Sequence, residues 1–311
     1  MNLQQLEYIV AVDKHRHFVT AAEKCFVTQA TLSMMIKKLE ENLGVKIFDR
    51  SRQPVIPTEI GQKIISQAKV ILSETNRLQE IISMEQSQVS GELRIGIIPT
   101  LAPYLLPLFI NSFLQKYPLV KLKISELATN DIVRKLEKNE LDAALLAIPL
   151  NQSGLKEYSL FYEEFVVFSP SNKKSGRKKY ILASDIDVNQ LWLLEEGHCL
   201  RSQAINLCEL KDREKKAHQL DFAAGSIETL KKIVEVNQGI TILPMLALQD
   251  MTNKQKENIQ YFKKPSPVRQ IGLVTYRYYV KEKLINALKN EILAHIPDEM
   301  KIPAKKTVVN I

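Results

Sequence analysis

Leu93-Arg94-Ile95-Gly96-Ile97-Ile98-Pro99-Thr100 is where the chain changes its period. Before it, apolar residues recur at helical spacing. Here they gather into a short run closed by Pro99-Thr100, as in a strand followed by a turn. The switch divides the 311 residues into a helical first part and an α/β second part.

Toward the C-terminus, the pattern predicts a helix over 104–117 ended by Pro118, a strand over 120–124, a helix over 129–139 and a strand over 142–148. Such alternation predicts a parallel sheet with crossover helices. Phe165-Val166-Val167-Phe168 starts another strand, and Ser226 caps a helix over 227–236. A late strand, Ile271-Gly272-Leu273-Val274-Thr275-Tyr276, precedes a closing helix over 281–296. Returned to the first sheet, that strand gives two lobes joined by two crossing segments. Lobe I covers about 91–165 and 268–300, lobe II about 166–267, and 301–311 is a tail. The layout is that of a two-lobed, periplasmic-binding-protein-like α/β regulatory domain. Ligands in such folds sit at strand C-termini and helix N-termini, where Thr100, Thr129 and Cys199 fall.

Toward the N-terminus, 59–90 reads as a linker helix. Ile60, Ile64, Ala68, Ile71, Leu72, Leu78 and Ile82 form an apolar face without a covering chain of its own, which predicts a homodimer through this helix. Residues 1–58 read as a winged helix-turn-helix. Thr28 is the N-cap of a helix over 29–43 that buries Leu32, Ile36 and Leu39, and Gly44 ends it. Thr31, Ser33, Lys37 and Lys38 on that helix, with Arg50 and Arg52 on a wing over 45–58 that buries Phe48, are the candidate contacts to double-stranded DNA.

The net charge of +8 is compatible with nucleic acid. It is not concentrated on the first 60 residues, where eight Lys and Arg face seven Asp and Glu. The excess in 173–179, 211–216 and the tail reads as solvated loops and ends. No apolar run is long enough to span a membrane and no secretory signal opens the chain. Three cysteines, an odd number, point to a reducing, cytoplasmic setting. Five scattered histidines, no Gly-rich nucleotide loop and no cysteine cluster predict neither metal nor cofactor.

Two of the three cysteines share one window, Gly197-His198-Cys199-Leu200-Arg201 followed by Cys208. The apolar run Leu191-Trp192-Leu193-Leu194 reads as a strand or strand end, and 200–210 as a helix. Cys199 then sits at a helix N-terminus between His198 and Arg201, a setting expected to lower its pKa. A helix between the cysteines would hold their Cα atoms about 13.5 Å apart at 1.5 Å per residue. A disulfide tolerates about 7 Å. Spacing alone leaves two readings open: two unrelated thiols, or a bond that forms only by unwinding the helix.

The stretch Leu6-Glu7-Tyr8…Phe18…Ala21-Ala22…Thr28-Gln29-Ala30-Thr31-Leu32-Ser33…Ile36-Lys37-Lys38-Leu39-Glu40…Leu43-Gly44-Val45…Phe48-Asp49-Arg50 resembles the LysR-type transcription regulators. His15-Arg16-His17-Phe18, Ile97-Ile98-Pro99-Thr100, Pro103-Tyr104-Leu105-Leu106-Pro107 and Leu194-Glu195-Glu196-Gly197-His198-Cys199-Leu200-Arg201 with Cys208 are similar to the OxyR branch, the hydrogen-peroxide sensors. The resemblance implies that peroxide oxidises Cys199 to a sulfenic acid, that Cys208 resolves it to a disulfide, and that Thr100, Thr129, His198 and Arg269 line the peroxide pocket. It also implies a homotetramer, RNA polymerase as partner, and control of oxidative-stress genes by a protein that is not an enzyme. Ala30 stands where many relatives carry proline. Two other readings compete: a LysR-type regulator of a small organic ligand in the cleft, and a thiol peroxidase. The linker helix and DNA-reading unit argue against the last.

Overall fold

The computed structural model describes the chain except residues 52, 85–88, 171–179, 209–223, 277–280, 303–305 and 310–311; for 73, 76–84, 188 and 306 it describes the backbone alone. Two compact units emerge, Met1–Ser87 and Gln88–Ile311.

The first unit opens with helix α1 (Leu3–His15), α2 (Phe18–Lys24) and α3 (Gln29–Leu43). The Asn2 side chain and Gln5 form a reciprocal cap on α1. The Thr28 hydroxyl accepts from Thr31 N, and Gly44 closes α3 at φ 67°, a left-handed angle that favours glycine. Leu32, Ile36 and Leu39 are fully buried, as their spacing predicts, against Leu6, Ile9, Val12, Ala21 and Ala22. Truncating one of them to alanine removes about 2–5 kcal/mol. Strands β1 (Phe48–Asp49) and β2 (Ile56–Pro57) pair antiparallel as the wing, with Phe48 inside. The long helix α4 (Glu59–Met84) follows. Its face differs from the expectation: Ile60 is exposed, while Ile65 and Ala68 are buried, with Ile64, Ile71 and Leu72 packed alongside. The chain's own α1 covers this first half. Leu78 and Ile82, the other half of the expected dimer face, have side chains outside the described residues.

The second unit runs β3 (Gly91–Ile97), α5 (Ala102–Lys116), β4 (Val120–Glu126), α6 (Thr129–Glu137), β5 (Ala143–Ile148), β6 (Leu155–Phe168), β7 (Tyr180–Ile181), α7 (Cys199–Leu207), α8 (Ile227–Val236), β8 (Thr241–Pro244), α9 (Asn253–Lys256), β9 (Ile259–Phe262), β10 (Ser266–Tyr276), α10 (Glu282–His295), α11 (Asp298–Lys301) and β11 (Lys306–Val308). The sheet order is β4-β3-β5-β10-β6-β9-β7, with β8 on β6 and β11 on β10. β3 is parallel to β4 and β5, but β10 is antiparallel to both β5 and β6. The expected all-parallel sheet is therefore mixed, because β10 returns to the first sheet from the far lobe.

Strand β6 does double duty. Residues 155–164 pair with β10, and 165–168 pair with β8, the last three also with β9. The strand thus begins ten residues before the expected Phe165 and crosses between the lobes, as β10 does in the other direction. Three further expectations change. Leu191 and Leu194 make only isolated bridges, to Ile240 and Ala224, rather than a strand. The helix expected over 200–210 is α7; 209 and 210 lie outside the described residues. The tail is not simply a solvated end: β11 pairs parallel with Ser266–Val268, and Val309 is buried. Among the described residues no helix is long and apolar enough to cross a membrane, and no group of His, Cys, Asp and Glu could hold a metal ion.

Candidate functional site

Gly197, at φ 95°, turns the chain into α7, and His198 occupies the N-cap position with extended backbone. Cys199 is the first helical residue and is buried. Its partners come from elsewhere in the unit. Thr129 opens α6, so two helix N-termini meet at the sulfur. Thr100 lies in the turn after β3, and Arg269 lies on β10.

Arg269 is fully buried. Its Nη1 donates to Thr100 Oγ1 at 3.0 Å and its Nη2 to the Thr100 carbonyl at 3.1 Å. Its Nε donates to Glu163 Oε2 at 2.8 Å. Glu163, also fully buried, sits directly opposite on β6, and its Oε1 accepts Leu246 N at 2.8 Å. Leu246 belongs to the 3-10 turn Met245–Leu248 of the far lobe. One buried ion pair therefore fastens the turn behind β3, both crossing strands and the second lobe. Buried charges survive only when paired and hydrogen-bonded, and here both conditions hold.

Sequence reasoning missed Glu163. A signal was present: Phe161, Glu163 and Phe165 share one phase of a strand, and all three are buried. A glutamate in the inward phase between two phenylalanines needs a buried cation.

Burial pushes the Cys199 thiol up; the Arg269 guanidinium and the Thr129 hydroxyl pull it partly back. The net direction is opposite to the expected lowering, and the reason is geometric. The Arg201 guanidinium is engaged elsewhere, donating through Nη1 to the Leu194 carbonyl at 2.7 Å. His198 Nε2 lies 3.6 Å from Glu195 Oε1. The cation that pulls the thiol back is Arg269, distant in sequence. Apart from its weak approach to the sulfur, the buried Thr129 oxygen has no hydrogen-bond partner among the described residues. Cys208 is buried as the C-cap of α7, its N–H bonded to the Ala204 carbonyl, and none of the three cysteines is in a disulfide. The intact helix holds the two sulfurs apart. Cys25 lies in the first unit, where burial raises its thiol pKa and Glu7 adds to the effect.

The DNA-reading candidates lie in the first unit. Thr31, Lys37 and Lys38 are exposed on α3, with Lys37 3.9 Å from Glu41 and the Thr31 hydroxyl bonded to Thr28. Ser33 and Arg50 are joined, Nη1 to Oγ at 3.4 Å. Arg50 also stacks over Phe18 at 5.1 Å and reaches Glu40 Oε2 at 3.1 Å. Glu40 is a second residue that sequence reasoning passed over. It is buried and accepts Ile47 N and Phe48 N, so it anchors the wing to α3. Arg52 lies outside the described residues.

Comparison with known proteins matches both units. Residues 3–62 fit the bacterial regulatory helix-turn-helix of the lysR family, and 86–297 fit the LysR substrate binding domain. The DNA-binding transcriptional dual regulator OxyR of Escherichia coli (strain K12) is 36% identical over 276 residues, 88% of this chain and 89% of that protein. The HTH-type transcriptional regulator EstR of Acinetobacter baylyi is 34% identical over 282 residues, again 88% of this chain and 90% of that protein. Full-length OxyR of Pseudomonas aeruginosa, solved as a Cys-to-Asp variant, superposes with a TM-score of 0.79 at 30% identity, covering 95% of this chain and 99% of that one. A cysteine mutant of Corynebacterium glutamicum OxyR with hydrogen peroxide bound gives 0.62 at 28% identity, covering 94% and 92%. With both units matched in order along one chain, the protein belongs to the LysR family of DNA-binding regulators and is homologous to the OxyR hydrogen peroxide-inducible gene activators.

Proposed function

We propose that this chain is a peroxide-switched transcription regulator in which Cys199 is the sensing thiol. The observation that carries the reading is the buried Thr129 hydroxyl, which among the described residues has no partner except the sulfur beside it. With the Arg269 guanidinium, it forms a small polar niche against a thiol in an otherwise apolar interior. Hydrogen peroxide fits this chemistry: it is small, and both of its oxygens donate and accept. Attack by the Cys199 thiolate breaks the O–O bond, leaves a sulfenic acid on sulfur and releases hydroxide. Donors aimed at the departing oxygen lower that barrier, and Arg269 and Thr129 are placed to supply them. The Cys208 thiolate then attacks the Cys199 sulfur, the second hydroxide leaves, and a disulfide replaces two thiols. Because α7 stands between the two, that bond requires the helix to unwind.

His198 is assigned to holding the turn before Cys199 through Glu195, with a role toward peroxide only after that contact opens. Thr31, Ser33, Lys37, Lys38, Arg50 and Arg52 are assigned to DNA. Ser33 and Arg50 act as one linked pair, and the exposed lysines act on phosphates. The functional division is 1–58 for DNA binding, 59–90 for dimerisation through α4, and 91–300 for regulation, in a cytoplasmic homotetramer that acts on RNA polymerase.

The test is the second-order rate of Cys199 oxidation by hydrogen peroxide, with mass spectrometry of the product. The expected result is a rate orders of magnitude above that of a free thiol, a 199–208 disulfide in the unaltered chain, and a dimedone-trapped sulfenic acid on Cys199 in Cys208→Ser. A slow rate with neither product would overturn the peroxide reading. A LysR-type regulator with its signal in the cleft between the lobes would remain.

A further inference from the structure

Helix α7 carries the sensing thiol at its first residue and ends at the second thiol, yet it has only nine residues. A helix that short does not hold itself together in water, so its neighbours must. Its buried face consists of Cys199, Leu200, Gln203 and Ala204. Gln203 is the odd member: a fully buried amide on an otherwise apolar face. A buried amide is unfavourable unless bonded. Gln203 meets that need on one side only. Its Nε2 donates to the Val309 carbonyl at 3.2 Å, and its Oε1 has no partner among the described residues.

Val309 directly follows β11 and is buried. Its N–H donates to the Val268 carbonyl at 2.8 Å, and it extends β11, which pairs with 266–268. The next residue on β10 is Arg269, the guanidinium that acts on Cys199. The C-terminal strand thus bridges the strand that carries the site's cation and the helix that carries its thiol. The contact to the helix falls between the two cysteines.

We propose that β11 with Val309 is a latch on α7, and Gln203 is its catch: a positioning residue that keeps the 199–208 segment helical and so delays the second thiol. This rests on the peroxide reading above. The first step, oxidation of Cys199, leaves the helix intact and does not need the latch to move. The second step, closure of the disulfide, unwinds α7, withdraws Gln203 from Val309 and frees the strand. A single one-sided hydrogen bond suits a catch that must open. The latch lengthens the life of the sulfenic acid and gives the terminal strand two states, docked in the reduced protein and released in the oxidised one.

The experiment uses the full chain, Gln203→Leu, and a chain ending at Ile302. Rapid-quench mass spectrometry separates the rate of Cys199 oxidation by peroxide from the rate of disulfide closure. Oxidation is expected to stay within about twofold of the parent in both variants. Closure is expected to quicken about five- to tenfold, the scale of one hydrogen bond. A loss of stability alone would not select one step over the other. In the unaltered chain, amide hydrogen exchange over Thr307–Val309 should be faster after oxidation than before. The leucine could pack more tightly than the glutamine and mask the effect, so the shortened chain decides. Unchanged or slower closure in it overturns the latch while leaving the peroxide switch standing. Failure of the unaltered chain to form any sulfenic acid or crosslink overturns both.

Discussion

Two Arg–Glu pairs hold the two halves of this protein, and they differ in almost everything but their chemistry. Arg50 meets Glu40 at 3.1 Å in the wing, with the arginine side chain 38% exposed. Arg269 meets Glu163 at 2.8 Å, with both side chains at 0%. In each, the glutamate also accepts backbone N–H groups, from Ile47 and Phe48 in one case and from Leu246 in the other. In the first pair only the glutamate is buried, so its arginine keeps water and salt in reach and can offer its guanidinium to a phosphate. The buried pair has no such freedom: its charge is fixed in place and its field is felt by the nearby thiol. One geometry leaves a guanidinium at a surface, the other fixes one in an interior.

The largest effect should come from breaking the buried pair. Arg269→Gln leaves the Glu163 carboxylate without its cation, and removing one partner of a buried pair costs about 3–5 kcal/mol. Urea unfolding of the reduced protein measures this. The same variant should slow Cys199 oxidation severely, because the thiol loses the cation that counters burial. Adding Glu163→Gln should recover much of the stability and little of the rate. Recovery of both would mean that Arg269 acts only as a structural tie.

The half-exposed pair should give less. Arg50→Gln is expected to cost about 1 kcal/mol in stability, since solvent reaches the arginine and the buried Glu40 keeps its two backbone donors and Lys46 at 3.9 Å. Its signature lies in DNA binding. The slope of log affinity against log salt should flatten by about 0.9 for each phosphate that the arginine no longer neutralises. The oxidation rate of Cys199 should be indifferent both to this change and to salt. A salt-dependent oxidation rate would show that the interior site is less closed than its burial implies.

The comparison also explains what could be read from the sequence. The DNA-reading unit is built from local rules: a cap at Thr28, a stripe at Leu32, Ile36 and Leu39, and a left-handed stop at Gly44. Each is a spacing along one helix, and each was legible. The site around Cys199 draws Thr100, Thr129 and Arg269 from 70 to 99 positions away from the thiol. Nothing local links Thr129 or Arg269 to Cys199; only the return of β10 to the first sheet brings them together. The flanking residues misled for the same reason. His198 and Arg201 are near in sequence, but His198 Nε2 lies 3.6 Å from Glu195 and Arg201 donates to the Leu194 carbonyl. Glu163 was hidden in a strand whose first ten residues were not recognised. The terminal Thr307-Val308-Val309 is too short to declare itself as a strand without its partner on β10.

The smallest and most discriminating change is Thr129→Val, which keeps the shape of the side chain and deletes one hydroxyl. Burial holds the Cys199 thiol above its ordinary range, and Thr129 is one of the groups that lower it. The thiolate is the reacting form, so the oxidation rate should climb as pH rises through the raised pKa and level off above it. The linked stability runs the other way: the folded state binds the thiol proton more tightly than the unfolded chain does. That contribution is complete below the unfolded thiol pKa and is lost as pH rises through the folded one. Removing the hydroxyl should move the rate profile to higher pH and reduce the neutral-pH rate about two- to tenfold, the scale of one hydrogen bond. The upper plateau separates two roles. If Thr129 only tunes the thiol, the plateau survives at its original height. If its unpartnered oxygen also holds peroxide, the plateau falls as well, because full ionisation of Cys199 cannot replace a donor to the departing hydroxide.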